Sequence, residues 1–262
     1  MSSLIRQHIL ELYRYRSLVN SLVIRELKAR YRGSFLGFLW TFLNPLLLLG
    51  VYALVFNFYL KIQVEHYAGF MFVGLLPWIW FSSSLLEGTN AITAGGSLVT
   101  KVLFPSQVLP AVKILANLAN FLLSFPILFG FLWVMGVYQG WPLLWLPLVI
   151  ILHLLFIQGL VLILATINVF FRDVQHILSN FMTLWFFLTP ILYPLSQVPK
   201  PFNQWALFNP MAQITLAYQD VFFYNRNPDL RFLSVFMGLS LFLLGIGMFF
   251  FERHKETFAE KV

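Results

Sequence analysis

Five stretches of this 262-residue chain hold no Lys, Arg, Asp or Glu: residues 33–60, 66–86, 114–171, 174–199 and 232–251. A helix of about 20 apolar residues crosses a bilayer core, so each stretch is long enough to span one. The third is too long for one crossing. "GVYQGWP" at residues 136–142 interrupts it with the glycine, proline and tryptophan of an interfacial turn, so it reads as two helices. Charged residues make up 10% of the chain and hydrophobic ones 60%, whereas a soluble domain is about 25% charged. A water-soluble globule is excluded, and the expected fold class is an all-α integral membrane protein.

Six spans follow: Phe35–Leu60, Tyr67–Leu86, Ile114–Val137, Leu143–Phe170, Val174–Leu195 and Phe232–Phe251. An even number puts both termini on one side. That side holds thirteen of the Lys and Arg residues, and the other only Lys61, Lys200, Arg226 and Arg231. The positive-inside rule therefore sends both termini to the cytoplasm. The net charge of +7 reflects this topology rather than nucleic-acid binding. No cleavable signal is expected, because the first 32 residues are charged and amphipathic. Cysteine is absent, so neither a disulfide nor a thiolate metal site is possible.

Phe202–Gln219 is also uncharged, but a seventh span would move the tail outside and spoil the charge asymmetry. Region 198–224 is expected to dip into the membrane and return, breaking at "FNP" (208–210), because proline removes a backbone donor. Irregular backbone at that depth survives only against protein or a wet cavity, which places the element at an external pore mouth. The alternative is a helix lying on the outer surface.

Residues 4–16 put Leu4, Ile5, Ile9, Leu12 and Tyr13 on one helical face, an interfacial pattern. Beyond it Arg25, Lys28 and Arg32 share a face, Glu26 can reach Arg30, and Ser34 can cap the next helix. Such a face suits anionic lipid headgroups or an acidic protein surface. Span one aligns Asn44, Leu48, Tyr52, Phe56 and Tyr59, with Pro45 placed to kink it. Span five aligns His176, Asn180, Thr183, Phe187 and Pro190. Polar groups within spans face protein or water. The two rows either line a pathway together, or their aromatics face lipid while their amides join helices.

No charged residue falls inside these spans, which disfavours a proton- or sodium-coupled carrier. No aspartate pair is present to hold magnesium on a diphosphate, and His153 reads as a hydrogen-bonded core residue. The dipeptide Gly-Lys never occurs, so the chain has no P-loop for ATP. Energy must arrive through another subunit, and the cytoplasmic loops are where it can attach. Residues 87–113 hold a short amphipathic piece around Leu98–Phe104, flanked by Gly95, Gly96 and Pro105. Residues 170–178, "FFRDVQHIL", form the second candidate. Both can also be plain connectors.

"RELKARYRGSFLGFLWTFLNPL" (25–46), "LVTKVLFPSQVLPAV" (98–112), "NVFFRDVQHIL" (168–178), "TPILYP" (189–194), "FNPM" (208–211) and "FERHKETFAEKV" (251–262) together resemble a family. It is the membrane subunit of type-two ABC exporters of lipid-linked polysaccharide, within which the O-antigen exporters are most similar. Teichoic acid, capsule or a smaller lipid or drug remain alternative substrates. The resemblance implies a homodimer bound to two copies of a cytoplasmic ATPase subunit in a bacterial inner membrane, with ATP and Mg held by the partner and no cofactor or metal on this chain. It implies no catalytic residue here, membrane lipid as surroundings, and a glycan on undecaprenyl diphosphate as substrate.

Mapped onto this sequence, the resemblance makes 1–32 an interface segment and 33–262 a six-span transmembrane domain with gate region 198–224 and cytoplasmic tail 252–262. Asn44, Tyr52, Phe56, Tyr59, Asn180, Thr183 and Phe187 would line the conduit at the dimer interface. Arg25, Lys28, Arg30 and Arg32 would meet the diphosphate headgroup. Leu98, Lys101, Phe104, Pro105, Arg172 and Asp173 would couple to the ATPase, and Pro199, Trp205, Asn209 and Pro210 would form the gate.

Overall fold

The computed structural model describes residues 10–11, 13–30, 32–59, 64–96 and 105–261. Among these there are helices and no strand. The helices are α1 (Arg16–Arg30), α2 (Trp40–Ala53), α3 (Tyr67–Thr89), α4 (Ala91–Ala94), α5 (Val108–Leu123) and α6 (Phe125–Val134). They continue with α7 (Leu146–Phe170), α8 (Asp173–Phe187), α9 (Phe202–Ala206), α10 (Pro210–Phe222), α11 (Leu230–His254) and α12 (Phe258–Lys261). Five segments are long and apolar enough to cross a membrane: Gly37–Phe56, Tyr67–Thr89, Val108–Val134, Trp141–Phe170 and Leu230–Lys261. The chain is a multi-pass membrane protein. The interfacial helix expected at Leu4–Arg16 falls largely outside the described residues.

The first span opens on Ser34, whose hydroxyl oxygen accepts from the Gly37 amide (3.3 Å) and the Trp40 indole (3.1 Å). Pro45 sits inside α2 without ending it, and the helix widens into a π turn over Leu54–Tyr59. α3 is the central helix: Tyr67, Phe70–Trp78, Trp80 and Phe81 are all buried, as expected of a helix apolar on every side. Its Trp80 and Phe81 form the core with Phe121, Phe156, Tyr218, Phe222 and Phe236 of the helices around it.

The third span is not one continuous helix. Proline at 126 cannot donate to Leu122, and Ser124 turns its hydroxyl back onto the Asn120 carbonyl (2.9 Å), so α5 gives way to α6 there. The turn expected at 136–142 is present. Gly136 takes φ +79, and Val137 donates to the Leu132 carbonyl at 2.9 Å, the closure that ends a helix on a left-handed residue.

The largest departure is the fifth span. Expected over Val174–Leu195, α8 stops at Phe187 after 15 residues, about 22 Å of helix against a core of about 30 Å. The "TP" pair is the cause, since Pro190 pushes Thr189 away from helical geometry, and the Thr189 hydroxyl closes the end on the Trp185 carbonyl (2.8 Å). The break expected at 208–210 is found: α9 ends at Ala206 and α10 begins at Pro210.

α7 and α11 pack against each other where both carry glycine. A Cβ on Gly247 would lie 2.5 Å from the Gly159 carbonyl oxygen, and one on Gly159 would lie 2.6 Å from the Leu244 nitrogen. Small residues allow backbones this close without a gap. The tail is no free extension, because Phe258 is buried and its ring meets Phe251 at 5.2 Å.

Contacts sort the chain into two ends. Arg30–Glu87, Asn168–Thr93 and Phe170–His254 meet at one. Tyr67–Leu192, Gly140–Asn225 and Trp145–Asn227 meet at the other. We call these the basic end and the far end.

Candidate functional site

At the basic end, α1 is tied to α3 and α5. Arg30 grips Glu87 with its Nη2 at 2.9 and 2.8 Å from the two carboxylate oxygens, and its Nη1 donates to Asn117 Oδ1 at 3.0 Å. Asn117 Nδ2 in turn donates to Glu87 Oε2 (3.1 Å) and to the Lys113 carbonyl (3.0 Å). Two corrections follow. Glu26 does not pair with Arg30; it receives Lys113 Nζ at 2.5 Å. The spanning helices are also not free of charge, since Glu87 sits in the last turns of α3 and Lys113 in α5. Each helix runs past the apolar stretch that announced it. These side chains are roughly a quarter to a third exposed, so pairing alone would contribute little; the shared amide of Asn117 makes it a network.

Arg25, Lys28 and Arg32 lie apart from that network. All three are exposed, and with Ser21, Ile24 and Ala29 they line a shallow recess without a carboxylate among its lining residues. Arg30 thus differs from the three cations expected beside it, its charge being met by Glu87.

The expected row on the first span divides. Asn44 is exposed toward α3 and α5, whereas Tyr52 stacks on Phe186 of α8 (5.6 Å, 25°) and meets Phe56 edge-on (6.4 Å). Tyr59 is exposed. On α8, Asn180, Thr183 and Phe187 are exposed together with Phe181, Leu184 and Leu188. The Tyr52–Phe186 stack thus sets α2 beside α8, and the outward faces of both carry large side chains without cover in the single chain.

Leu98, Lys101 and Phe104 lie outside the described residues. Pro105, which follows them, accepts the Val108 amide at 3.0 Å where α5 begins. Arg172 and Asp173 are exposed at the elbow between α7 and α8. There Arg172, Gln175 and His176 border a cleft with Asn90, Thr93 and Asn168. His153 is fully buried between Trp80 and Phe81, its Nδ1 at 3.5 Å from the Tyr218 hydroxyl. Among the described residues no three His, Asp or Glu side chains converge as metal ligands would.

In the gate region Pro199 and Trp205 are exposed and Asn209 is the fixed point. Its Oδ1 accepts from Trp185 Nε1 (2.7 Å) and from the Met211 amide (3.0 Å). Its Nδ2 donates to the Leu188 carbonyl (3.1 Å) and the Thr189 hydroxyl (3.2 Å). Pro210 supplies the first residue of α10, where a missing amide costs nothing.

One feature escaped the sequence reading. A cleft of about 410 Å³ opens between α2, α3 and α5, lined by Trp40, Thr41 and Asn44, by Trp80 and Ser83, and by Asn117, Asn120 and Ser124. Its signal was available: Asn117, Asn120 and Ser124 recur at the helical spacings three and four inside an apolar span.

The chain compares as follows. The model of the ABC-2 type transporter family matches residues 17–223. A protein of Myxococcus xanthus named "O-antigen export system permease protein RfbA" is 48% identical over 254 residues, 96% of this chain and 98% of that one. A Klebsiella pneumoniae protein of the same name is 32% identical, over 90% of this chain and 91% of its own length. The Escherichia coli "Polysialic acid transport protein KpsM" is 26% identical, over 91% of this chain and 94% of its own.

Proposed function

The chain belongs to the ABC-2 type transporter family, and from that membership we propose that it is the transmembrane subunit of an ATP-driven exporter of polysaccharide on undecaprenyl diphosphate, of the O-antigen class. The observation that carries this reading is the 48% identity, over 96% of this chain, with a protein named for O-antigen export. Identity to the polysialic acid transporter is 26%, which makes a capsule polysaccharide the second choice.

In this reading two copies of the chain enclose the conduit with the uncovered faces of α2 and α8. Asn180, Thr183 and Phe187 lie along it, with Tyr59 towards one end, while Asn44 faces the cleft beside α3 and α5. A glycan presents hydroxyls and apolar C–H faces, so a wall of amides, hydroxyls and rings gives it many similar weak contacts and no deep minimum in which to stop. Tyr52 acts behind that wall, holding α2 against α8. The recess of Arg25, Lys28 and Arg32 receives the diphosphate at the cytoplasmic side of a bacterial inner membrane. The chain binds no nucleotide; a pair of ATPase subunits carries ATP and Mg and pushes on residues 98–105 and the Arg172–Asp173 elbow. Residues 1–32 are the interface segment, 33–262 the transmembrane domain, and 252–262 its cytoplasmic tail.

Six crossings rather than five are supported by the two ends of the bundle. Phe170 lies beside His254 at the basic end and Asn227 beside Trp145 at the far end, so the chain between them makes a net crossing although no helix in it is of full length. Region 198–224 then acts as the re-entrant gate. Asn209 meets Trp185 while Leu192, between them in sequence, meets Tyr67 at the far end.

Cells lacking the chain should accumulate undecaprenyl-diphosphate-linked glycan on the cytoplasmic face. Wild type should restore export, and Arg25→Gln, Lys28→Gln and Arg32→Gln combined should leave it at about a tenth or less, since each cation contributes about 1 kcal/mol to holding an anion at a membrane surface. Glycan reaching the cell surface unimpaired in the deletion strain would remove the exporter reading.

A further inference from the structure

We infer that the cleft between α2, α3 and α5 is a glycosyl-binding site, taking the sugar unit that sits next to the lipid diphosphate. This rests on the exporter reading above and adds a place for one part of the substrate, distinct from the outward faces of α2 and α8.

Three helices contribute to it independently. α5 gives Asn117, Asn120 and Ser124, α3 gives Ser83 and Trp80, and α2 gives Asn44. Seven residues of helix on α5 extend the polar stripe about 10 Å from the Arg30–Glu87 pair at the basic end toward the middle of the bilayer. Polar side chains at that depth are costly unless something pairs with them, and two residues that line this cleft each hold a buried polar atom without a partner. Trp80 Nε1 is a buried donor without an acceptor, and Asn120 Oδ1 a buried acceptor without a donor. Trp80 is 1% exposed and held in place by its stack on Phe121 at 5.0 Å. The volume of about 410 Å³ lies within the range of small-ligand pockets.

Charge decides the class of ligand. The cation at the mouth, Arg30, is already gripped by both oxygens of Glu87, so an anion entering the cleft would compete with a bidentate partner at no gain. An uncharged group bearing hydroxyls meets no such competition. A hydroxyl both donates and accepts, so it can answer the indole and the amide oxygen alike. Arg30 stands on α1 between Lys28 and Arg32, which face the recess without a carboxylate. A lipid-linked glycan can therefore rest its diphosphate on those cations and place its first sugar in the neutral cleft.

The chain has no cysteine, so single cysteines report directly. In the full-length protein in lipid nanodiscs, Ser83→Cys reads the cleft and Glu256→Cys, exposed on the tail, is the reference. A water-soluble maleimide should label both. Farnesyl diphosphate carrying one N-acetylhexosamine should slow labelling at position 83 about tenfold, the loss or gain of one good hydrogen-bonded group, and leave position 256 unchanged. Farnesyl diphosphate alone should slow neither. Asn120→Leu in the Ser83→Cys protein should abolish the protection while radiolabelled farnesyl diphosphate is still retained.

Equal protection by both probes would overturn the inference, as would protection that survives Asn120→Leu or a position 83 that never labels. Retention of both probes with no protection would overturn it too, leaving the exporter reading intact. Retention of neither probe would take down the exporter reading and this inference together.

Discussion

Asn209 joins the end of α8 to the start of α10 with one side chain. Its oxygen starts α10 by accepting the Met211 amide and also receives the Trp185 indole, while its nitrogen bonds the end of α8 at Leu188 and Thr189. Removing an Asn cap costs about 1 kcal/mol, and each further hydrogen bond lost costs about another. Asn209→Ala should therefore destabilise the protein by about 2–4 kcal/mol in thermal unfolding in detergent. Asn209→Ser, which keeps the capping oxygen, should recover about 1 kcal/mol of that. The "FNP" pattern marked the break in the sequence, because proline announces itself locally. The partners of Asn209 were not legible, since Trp185 lies 24 residues away and nothing in a pattern says which indole will arrive. For the same reason Glu26 looked paired with Arg30, its neighbour by helical spacing, whereas tertiary packing brought Lys113 and Glu87 instead. Local spacing proposes partners; burial against other helices chooses among them.

At the level of elements, hydropathy located the long helices because a bilayer imposes length and composition together. It misjudged α8 and α5–α6, where Pro190 and Pro126 end or break a run that is apolar throughout; hydrophobicity does not register a missing donor. It was also silent on how helices pair. Gly159 and Gly247 bring α7 and α11 together at 2.5 Å from a would-be Cβ to a carbonyl oxygen, while a Cβ on Gly238, on the same α11, would meet nothing within 4 Å. Gly247→Val should force the two backbones apart and cost about 1–3 kcal/mol. Gly238→Ala should be neutral or stabilise by up to about 1 kcal/mol, because alanine holds a helix better than glycine. Unfolding of both variants by scanning calorimetry checks the pair, and equal effects would mean that general helix propensity, rather than contact between α7 and α11, governs stability there.

The whole molecule is organised by its charge asymmetry. The described cations of α1, the α7–α8 elbow and the tail gather at the basic end, where Arg30 meets Glu87 and Phe170 meets His254. Lys200, Arg226 and Arg231 belong to the segments around the far end. Moving cationic segments across the membrane is opposed during insertion, so the basic end should face the cytoplasm. This orientation also requires the segment from 171 to 229 to cross once in net terms, with the short α8 and α10 doing between them what a single 20-residue helix does elsewhere. Their half-length is tolerable because the freed backbone groups are met by protein: Gln219 Nε2 donates to the Pro190 carbonyl at 2.8 Å and the Tyr67 hydroxyl to that of Leu192 at 2.6 Å. Because the chain has no cysteine, Lys200→Cys and Glu256→Cys can be compared with a membrane-impermeant maleimide. In spheroplasts Lys200→Cys should label and Glu256→Cys should not; in inverted vesicles the pattern should reverse. Labelling of Glu256→Cys in spheroplasts, with Lys200→Cys reached only in inverted vesicles, would show that the segment returns to the side it left, which would give the molecule five crossings and place its tail opposite the cations of α1.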